Sequence, residues 1–183
     1  SAGGGGAARG LPQKGNVRGP SRRDKGDVDA AFKTADFVVE GEFATQVQTH
    51  SALETHGVVA DWRPDALTVY ASTQGTATVR DELATVFDLP KSKIRVITEY
   101  MGGGFGAKFG AGSYGVLATH LSKQAGAPVR LMLDRKEEHL CVGNRPSTVQ
   151  RRKLVAKKDG TLTAISLGSH GNGGIATGGG AIG

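Results

Sequence analysis

Between residues 27 and 168 the spacing of apolar side chains switches repeatedly between a period near 3.6 and a period of two, the signatures of helix and strand. Val28, Ala31, Phe32 and Ala35 share a helical face, with Asp27 placed as the cap and Asp29 in the first turn. FVVEGEF (37–43) alternates, with Phe37, Val39, Gly41 and Phe43 on one side of a strand. GVVADW (57–62) and LTVYAST (67–73) flank RPDA, a hairpin turn. Val79, Leu83, Val86 and Phe87 mark a helix over 76–87 that ends before Pro90, and KIRVITEY (93–100) is a strand running into a glycine-rich segment. SYGVLATHLSKQAG (113–126) reads as a helix with Tyr114, Leu117, Leu121 and Ala125 inward and Gly126 at its end. PVRLMLD (128–134) is a further strand, and KKDG joins strands 148–156 and 161–168 as a hairpin. The pattern implies an α+β fold: a mixed α/β segment, strands with inserted helices and a C-terminal β-hairpin.

Charge changes the picture only after it is located. The chain of 183 residues carries a net charge of +6, yet residues 1–26 alone hold six basic side chains against Asp24. This aromatic-free, glycine-rich stretch reads as a flexible basic tail or linker, which leaves 27–183 as the folded part. A second basic cluster (Arg151, Arg152, Lys153, Lys157, Lys158) falls on a strand pattern with no interleaved aromatics to stack bases, so a nucleic-acid partner is not indicated. No apolar run is long enough to span a membrane. The single cysteine, Cys141, has no internal disulfide partner and reads as a small core residue. The sequence stops in GNGGIATGGGAIG, an unpunctuated apolar-and-glycine run that suggests truncation.

The segment EYMGGGFGAKFGAG (99–112) is the strongest local signal. Glycines permit positive φ and close approach of another group to the backbone. A P-loop would need Gly before the lysine and Ser or Thr after it, whereas Ala107 and Phe109 flank Lys108. The dinucleotide fingerprint fits Gly102 and Gly104 but requires glycine at position 107. Two readings stay open on composition: a cradle of backbone N–H groups for an electron-rich ligand, or a turn that merely packs closely. The stretch His50-Ser-Ala-Leu-Glu54-Thr-His56 lacks the spacing of a helical zinc motif and reads as scaffold between strands.

VITEYMGGGFGAK (96–108) resembles the glycine-rich signature of the molybdenum-binding large subunit in the xanthine dehydrogenase and aldehyde oxidase family. GDVDAAF, THSALETHG, ASTQG with a following helix ending in LP, and PVRLMLDR followed by NRPS occur in the family's order, and the similarity covers about residues 26–175. A bacterial branch with separate subunits, similar to aldehyde oxidoreductases, matches best. The resemblance implies a molybdenum hydroxylase that oxidises an aldehyde or N-heteroaromatic C–H with water as the oxygen source. Its metal would be held by a molybdopterin, possibly in the cytosine dinucleotide form, rather than by side chains. Electrons would pass to 2Fe-2S clusters and FAD on partner domains or subunits. The resemblance further implies that Gln74 hydrogen-bonds an oxygen ligand of the metal, that Gly103, Gly104, Phe105 and Gly106 approach the cofactor, and that Phe105 walls the substrate pocket. It therefore makes Gln74 and Phe105 the catalytic candidates. Phe109 stands where xanthine-oxidising members carry a glutamate, which disfavours a purine substrate. Arg135 and Arg145 are expected to orient loops. The family's catalytic carboxylate would lie beyond Gly183, so this segment should supply one side of a site and not turn over alone. The alternative is a non-catalytic glycine-loop binding or scaffold module. Localisation is left open between cytoplasm and bacterial periplasm.

Overall fold

The computed structural model of the chain describes residues 13–15, 17–19 and 22–172. The elements are β1 (Gln13–Lys14), β2 (Val17–Arg18), α1 (Val28–Lys33), β3 (Phe37–Thr45), β4 (Gly57–Trp62), β5 (Leu67–Ala71), α2 (Thr76–Phe87), β6 (Ile94–Ile97), α3 (Gly112–Ala125), β7 (Val129–Met132), α4 (Arg135–Cys141), β8 (Thr148–Ala156) and β9 (Leu162–Gly171). They fall into two compact units, one spanning Thr49–Arg145 and the other formed by the segments up to Gln48 and from Pro146 onward. The mixture of helices and sheets is the expected α+β class. Most of the expected tail, and the glycine-rich run from 173 onward, lie outside the described residues; within the tail β1 and β2 pair antiparallel.

The Thr49–Arg145 unit is a four-stranded sheet in the order β6-β5-β4-β7 with helices packed on it. β4 pairs antiparallel with β5 and with β7, while β5 and β6 run parallel, as strands joined through a helix can. Alternation puts Val58 and Ala60 of β4 and Leu67, Val69 and Ala71 of β5 on one buried face, against Val79 and Leu83 of α2 and Tyr114 and Ala118 of α3. β6 is shorter than its apolar run suggests. It stops at Ile97, and Thr98 instead donates its hydroxyl to the Ala71 carbonyl at 2.7 Å.

α3 corrects the expected packing. Its buried side is Tyr114, Gly115, Ala118, Thr119 and Ser122, while Leu117, Leu121 and Ala125 are exposed. Small residues let the helix lie close to the sheet, and its hydroxyls find local partners. Thr119 donates to the Gly115 carbonyl, and Ser122 accepts from the Trp62 N–H and donates to the Ala127 carbonyl. α4 was not foreseen in the sequence, although Asp134 and Glu137 form a capping box at its start. Cys141, expected in the core, ends this helix exposed; of α4 only Glu138 is buried.

In the second unit β3, β8 and β9 form an antiparallel sheet, with the expected hairpin turning at Gly160 (φ 85°) and β9 extending to Gly171. One face carries the cross-strand pairs Glu42–Arg151 and Glu40–Lys153, and Phe32 of α1 sits under the Lys153 ammonium. The expected α1 face is partly buried at Val28, Ala31, Phe32 and Ala35. Phe37, Val39 and Phe43 do share a side of β3, and all three are exposed.

The small face of α3 yields a paired test. A Cβ on Gly115 would meet Ala111 and Val58 at ordinary contact distances of 3.5 and 3.8 Å, so Gly115→Ala should leave the stability unchanged or raise it by up to about 1 kcal/mol. Ala118→Leu should overpack the helix–sheet contact and cost roughly 1–3 kcal/mol, read as a lower urea midpoint.

Candidate functional site

Because β5 and β6 are parallel, their carboxyl ends leave the sheet at one edge, where ligand sites in α/β sheets commonly form. Ser72, Thr73 and Gln74 follow β5, and the glycine-rich segment follows β6. The two stretches are joined by hydrogen bonds to Lys108: its carbonyl accepts from Gln74 N–H at 2.7 Å and from the Thr73 hydroxyl at 2.8 Å. Thr73 in turn accepts from Gly75 N–H, which fixes the exit of the strand.

The Gln74 side chain is held by the loop itself. Its Oε1 accepts from the N–H of Gly106 at 2.9 Å and of Lys108 at 3.3 Å. Two donors on one side identify that atom as the oxygen and aim the NH2 group elsewhere. No described residue accepts from it. A Cβ on Gly104 would lie 2.5 Å from the same oxygen, so a side chain there would displace the amide from its loop donors. Gly103 and Gly106 have φ of 98° and 96°, and Phe105, between them, takes φ of 51° with its ring exposed. Positive φ at a phenylalanine is unfavourable and is sustained here by the glycines and bonds around it. Among the described residues the N–H groups of Gly103, Gly104 and Phe105 have no partner. The surface thus carries an exposed amide at Gln74 and unpaired backbone donors at the accessible residues Gly103 and Phe105, a set suited to oxygen-rich or anionic atoms, while Gly104 between them is buried.

Beneath the loop lies a buried polar layer. Lys108 is 0% exposed, with Nζ 2.8 Å from the Glu54 carbonyl, 2.7 Å from Ser72 Oγ and 3.6 Å from Glu54 Oε2. Glu54 Oε2 also accepts from Gly102 N–H at 2.6 Å and from Ser72 Oγ at 2.9 Å, while Glu54 N–H donates to the Gly102 carbonyl. His56 is 1% exposed; its ring nitrogens face Glu138 Oε1 at 2.8 Å and the Ala107 carbonyl at 3.2 Å, and its N–H donates to Glu138 Oε2. Burial alone would raise the Glu54 carboxyl, but the hydrogen bonds from Gly102 and Ser72 and the Lys108 charge outweigh it and hold it below 4.5. Burial dominates at Lys108 and lowers it, against the opposing pull of Glu54 and Glu138. Burial and the Arg145 charge lower His50, whose Nδ1 is buried without a partner.

Gln74, Gly103, Gly104, Phe105 and Gly106 are therefore brought together. Gly106 differs from its neighbours in that its N–H is engaged by Gln74. Phe109 is partly buried, its carbonyl 3.2 Å from where a Cβ on Gly75 would stand. Arg135 donates to the Leu53 carbonyl at 3.0 Å. Ser72, Lys108 and Glu138 are the residues that sequence reasoning missed as parts of this site, and Glu54 was read only as scaffold without its partners; a lone lysine inside a glycine run was the available signal. A groove of about 1180 Å3 lies between α2 and α3, lined by Val86, Phe87, Val116 and Leu117 among others, and none of residues 102–109 borders it. It is an open apolar surface without the convergent donors of the loop.

Residues 12–182 match the family described as the molybdopterin cofactor-binding domain. The chain is 34% identical over 144 residues to the aldehyde oxidoreductase molybdenum-binding subunit PaoC of Escherichia coli strain K12, covering 79% of this chain and 20% of that protein. It is 36% identical over 154 residues to xanthine dehydrogenase/oxidase of Mus musculus, covering 82% of this chain and 12% of that one. Quinoline 2-oxidoreductase from Pseudomonas putida 86 shares the fold with a TM-score of 0.73 and 28% identity over 92% of this chain and 23% of its own. The chain thus spans about a fifth or less of the length of these two curated relatives.

The depressed Glu54 carboxyl gives a pH test. Its stabilisation is fully present above the ordinary value near 4.5 and is lost as pH falls through the lower folded value. Glu54→Gln should therefore lower the urea midpoint at about pH 6, and the gap to the parent chain should narrow towards about pH 3. A gap that stays constant over this range would contradict the depressed value.

Proposed function

Because this chain belongs to the molybdopterin cofactor-binding domain family, we propose that in the intact protein it forms one wall of a molybdenum hydroxylase site that oxidises an aldehyde or N-heteroaromatic C–H, with water as the oxygen source. The observation that carries the reading is the Gln74 amide, locked by two loop N–H groups with its NH2 aimed away from them. The residues fit the group. A Cβ at position 104 would crowd the amide, and the unpaired N–H groups of the accessible Gly103 and Phe105 suit the oxygen atoms of the cofactor.

When bound, the molybdenum cofactor supplies the two-electron chemistry and the acceptor for substrate hydrogen. The chain's own residues bind and orient. Gln74 Nε2 would donate to an oxygen of the cofactor, a neutral donor that holds it without adding charge. Gly103 and Phe105 would present N–H groups to the cofactor, and Gly106 would contribute through Gln74. The exposed Phe105 ring would form a wall that excludes water and holds a flat substrate. Phe109 replaces an acidic side chain with an apolar one and favours aldehydes or apolar heteroaromatics over purines. We assign residues 27–183 to the first part of the cofactor-binding domain and 1–26 to a flexible basic tail or linker. The cytosine dinucleotide form of the pterin, and 2Fe-2S and FAD partners, complete the proposal.

Among the described residues no helix is long and apolar enough to cross a membrane.

The intact complex should contain molybdenum and pterin in equal amounts; a fully active complex without molybdenum would contradict the reading. Gln74→Ala should lower turnover about ten- to a thousandfold while the subunit still folds, because an exposed polar side chain carries little core packing. Gly104→Val should reduce cofactor occupancy, measured as molybdenum per subunit, since its side chain would occupy the Gln74 position.

A further inference from the structure

Glu54 and Lys108 form a clamp whose arrangement exceeds what packing requires. Glu54 holds the entrance of the loop twice, donating its N–H to the Gly102 carbonyl and accepting the Gly102 N–H on Oε2. The same residue holds the exit, since its carbonyl accepts from Lys108 Nζ. Lys108 is also the residue whose N–H and carbonyl fix the side chain and backbone of Gln74. The ammonium is completely buried, and an apolar side chain of similar length could fill that space without desolvating a charge. A buried charge is a poor device for stability alone but a directional one for geometry.

We propose that Lys108 is a positioning residue: its ammonium, seated on Glu54 and Ser72, sets the register of the loop so that Gln74 and the N–H groups of Gly103 and Phe105 face the cofactor as one surface. The inference rests on the reading that this loop meets the molybdenum cofactor. It assigns Lys108 no contact with substrate; the residue acts through Gln74. Replacing the ammonium leaves the Glu54 carboxylate with its Gly102 and Ser72 donors, so the unit should remain folded. The freed loop end should then lose its register.

The test uses the full-length subunit in its complex, as Lys108→Met, Gln74→Ala and the double variant. Three readouts are taken: molybdenum per subunit, the paramagnetic resonance spectrum of the dithionite-reduced metal, and kcat and KM with benzaldehyde as the probe. Lys108→Met should fold, show an altered metal spectrum and lose about tenfold or more in kcat with little change in KM. The double variant should lie within about twofold of the weaker single one, because both changes remove the same positioned group. Multiplying losses, or a Lys108→Met spectrum and kcat matching the parent, would overturn the inference. If Lys108→Met fails to assemble, Glu54→Gln carries the test: it should shift the spectrum in the same sense, and a parental spectrum would overturn the inference. A parent complex without molybdenum would overturn the reading beneath it, whereas a loaded parent with an unaltered Lys108→Met spectrum overturns only the role of Lys108.

Discussion

The site turns on one oxygen atom. Gln74 Oε1 receives N–H groups from Gly106 and Lys108, while the Gln74 backbone donates to the Lys108 carbonyl, so the amide is held at both ends. That closure depends on β5 and β6 being parallel, because antiparallel neighbours would deliver the two segments to opposite ends of the sheet. Glycine at 104 follows from the same contact, since the amide occupies the volume a side chain would need. The direction of the free NH2 group is thus a consequence of the fold rather than of a flexible rotamer.

A glycine-rich loop is costly to order, because glycine loses more backbone freedom than any other residue. The layer under the loop offsets that cost with polar contacts instead of apolar burial. Glu54, Ser72 and Lys108 fix its two ends, and the buried His56–Glu138 pair supports Ala107 between them. α4 matters for this reason. It contributes nothing apolar to the core, but it delivers Glu138 to a histidine 82 residues earlier.

Much of this was legible from periodicity. The alternating strands and α2 with Val79 and Leu83 inward follow from apolar spacing, whereas the pairing of Gln74 with the loop was legible only through the family resemblance. The inward face of α3 did not, because its contact is made by Gly115, Ala118, Thr119 and Ser122, which carry no hydrophobic signal, while its two leucines point outward. α4 is too short and polar to show a period, although its capping box was present in the sequence. The His50–His56 stretch was readable as scaffold, but its specific duties were not. Glu54 and His56 act through partners 48 to 82 residues away, or more locally through Ser72, and a one-dimensional pattern does not display such pairings.

The most direct test of the central claim is an experimental density map of the intact, molybdenum-loaded subunit. The account predicts the Gln74 amide nitrogen within about 3 Å of an oxygen on the cofactor, with residues 103–105 lining the same surface. A cofactor bound elsewhere, with Gln74 turned towards protein and its NH2 satisfied by another residue, would contradict it.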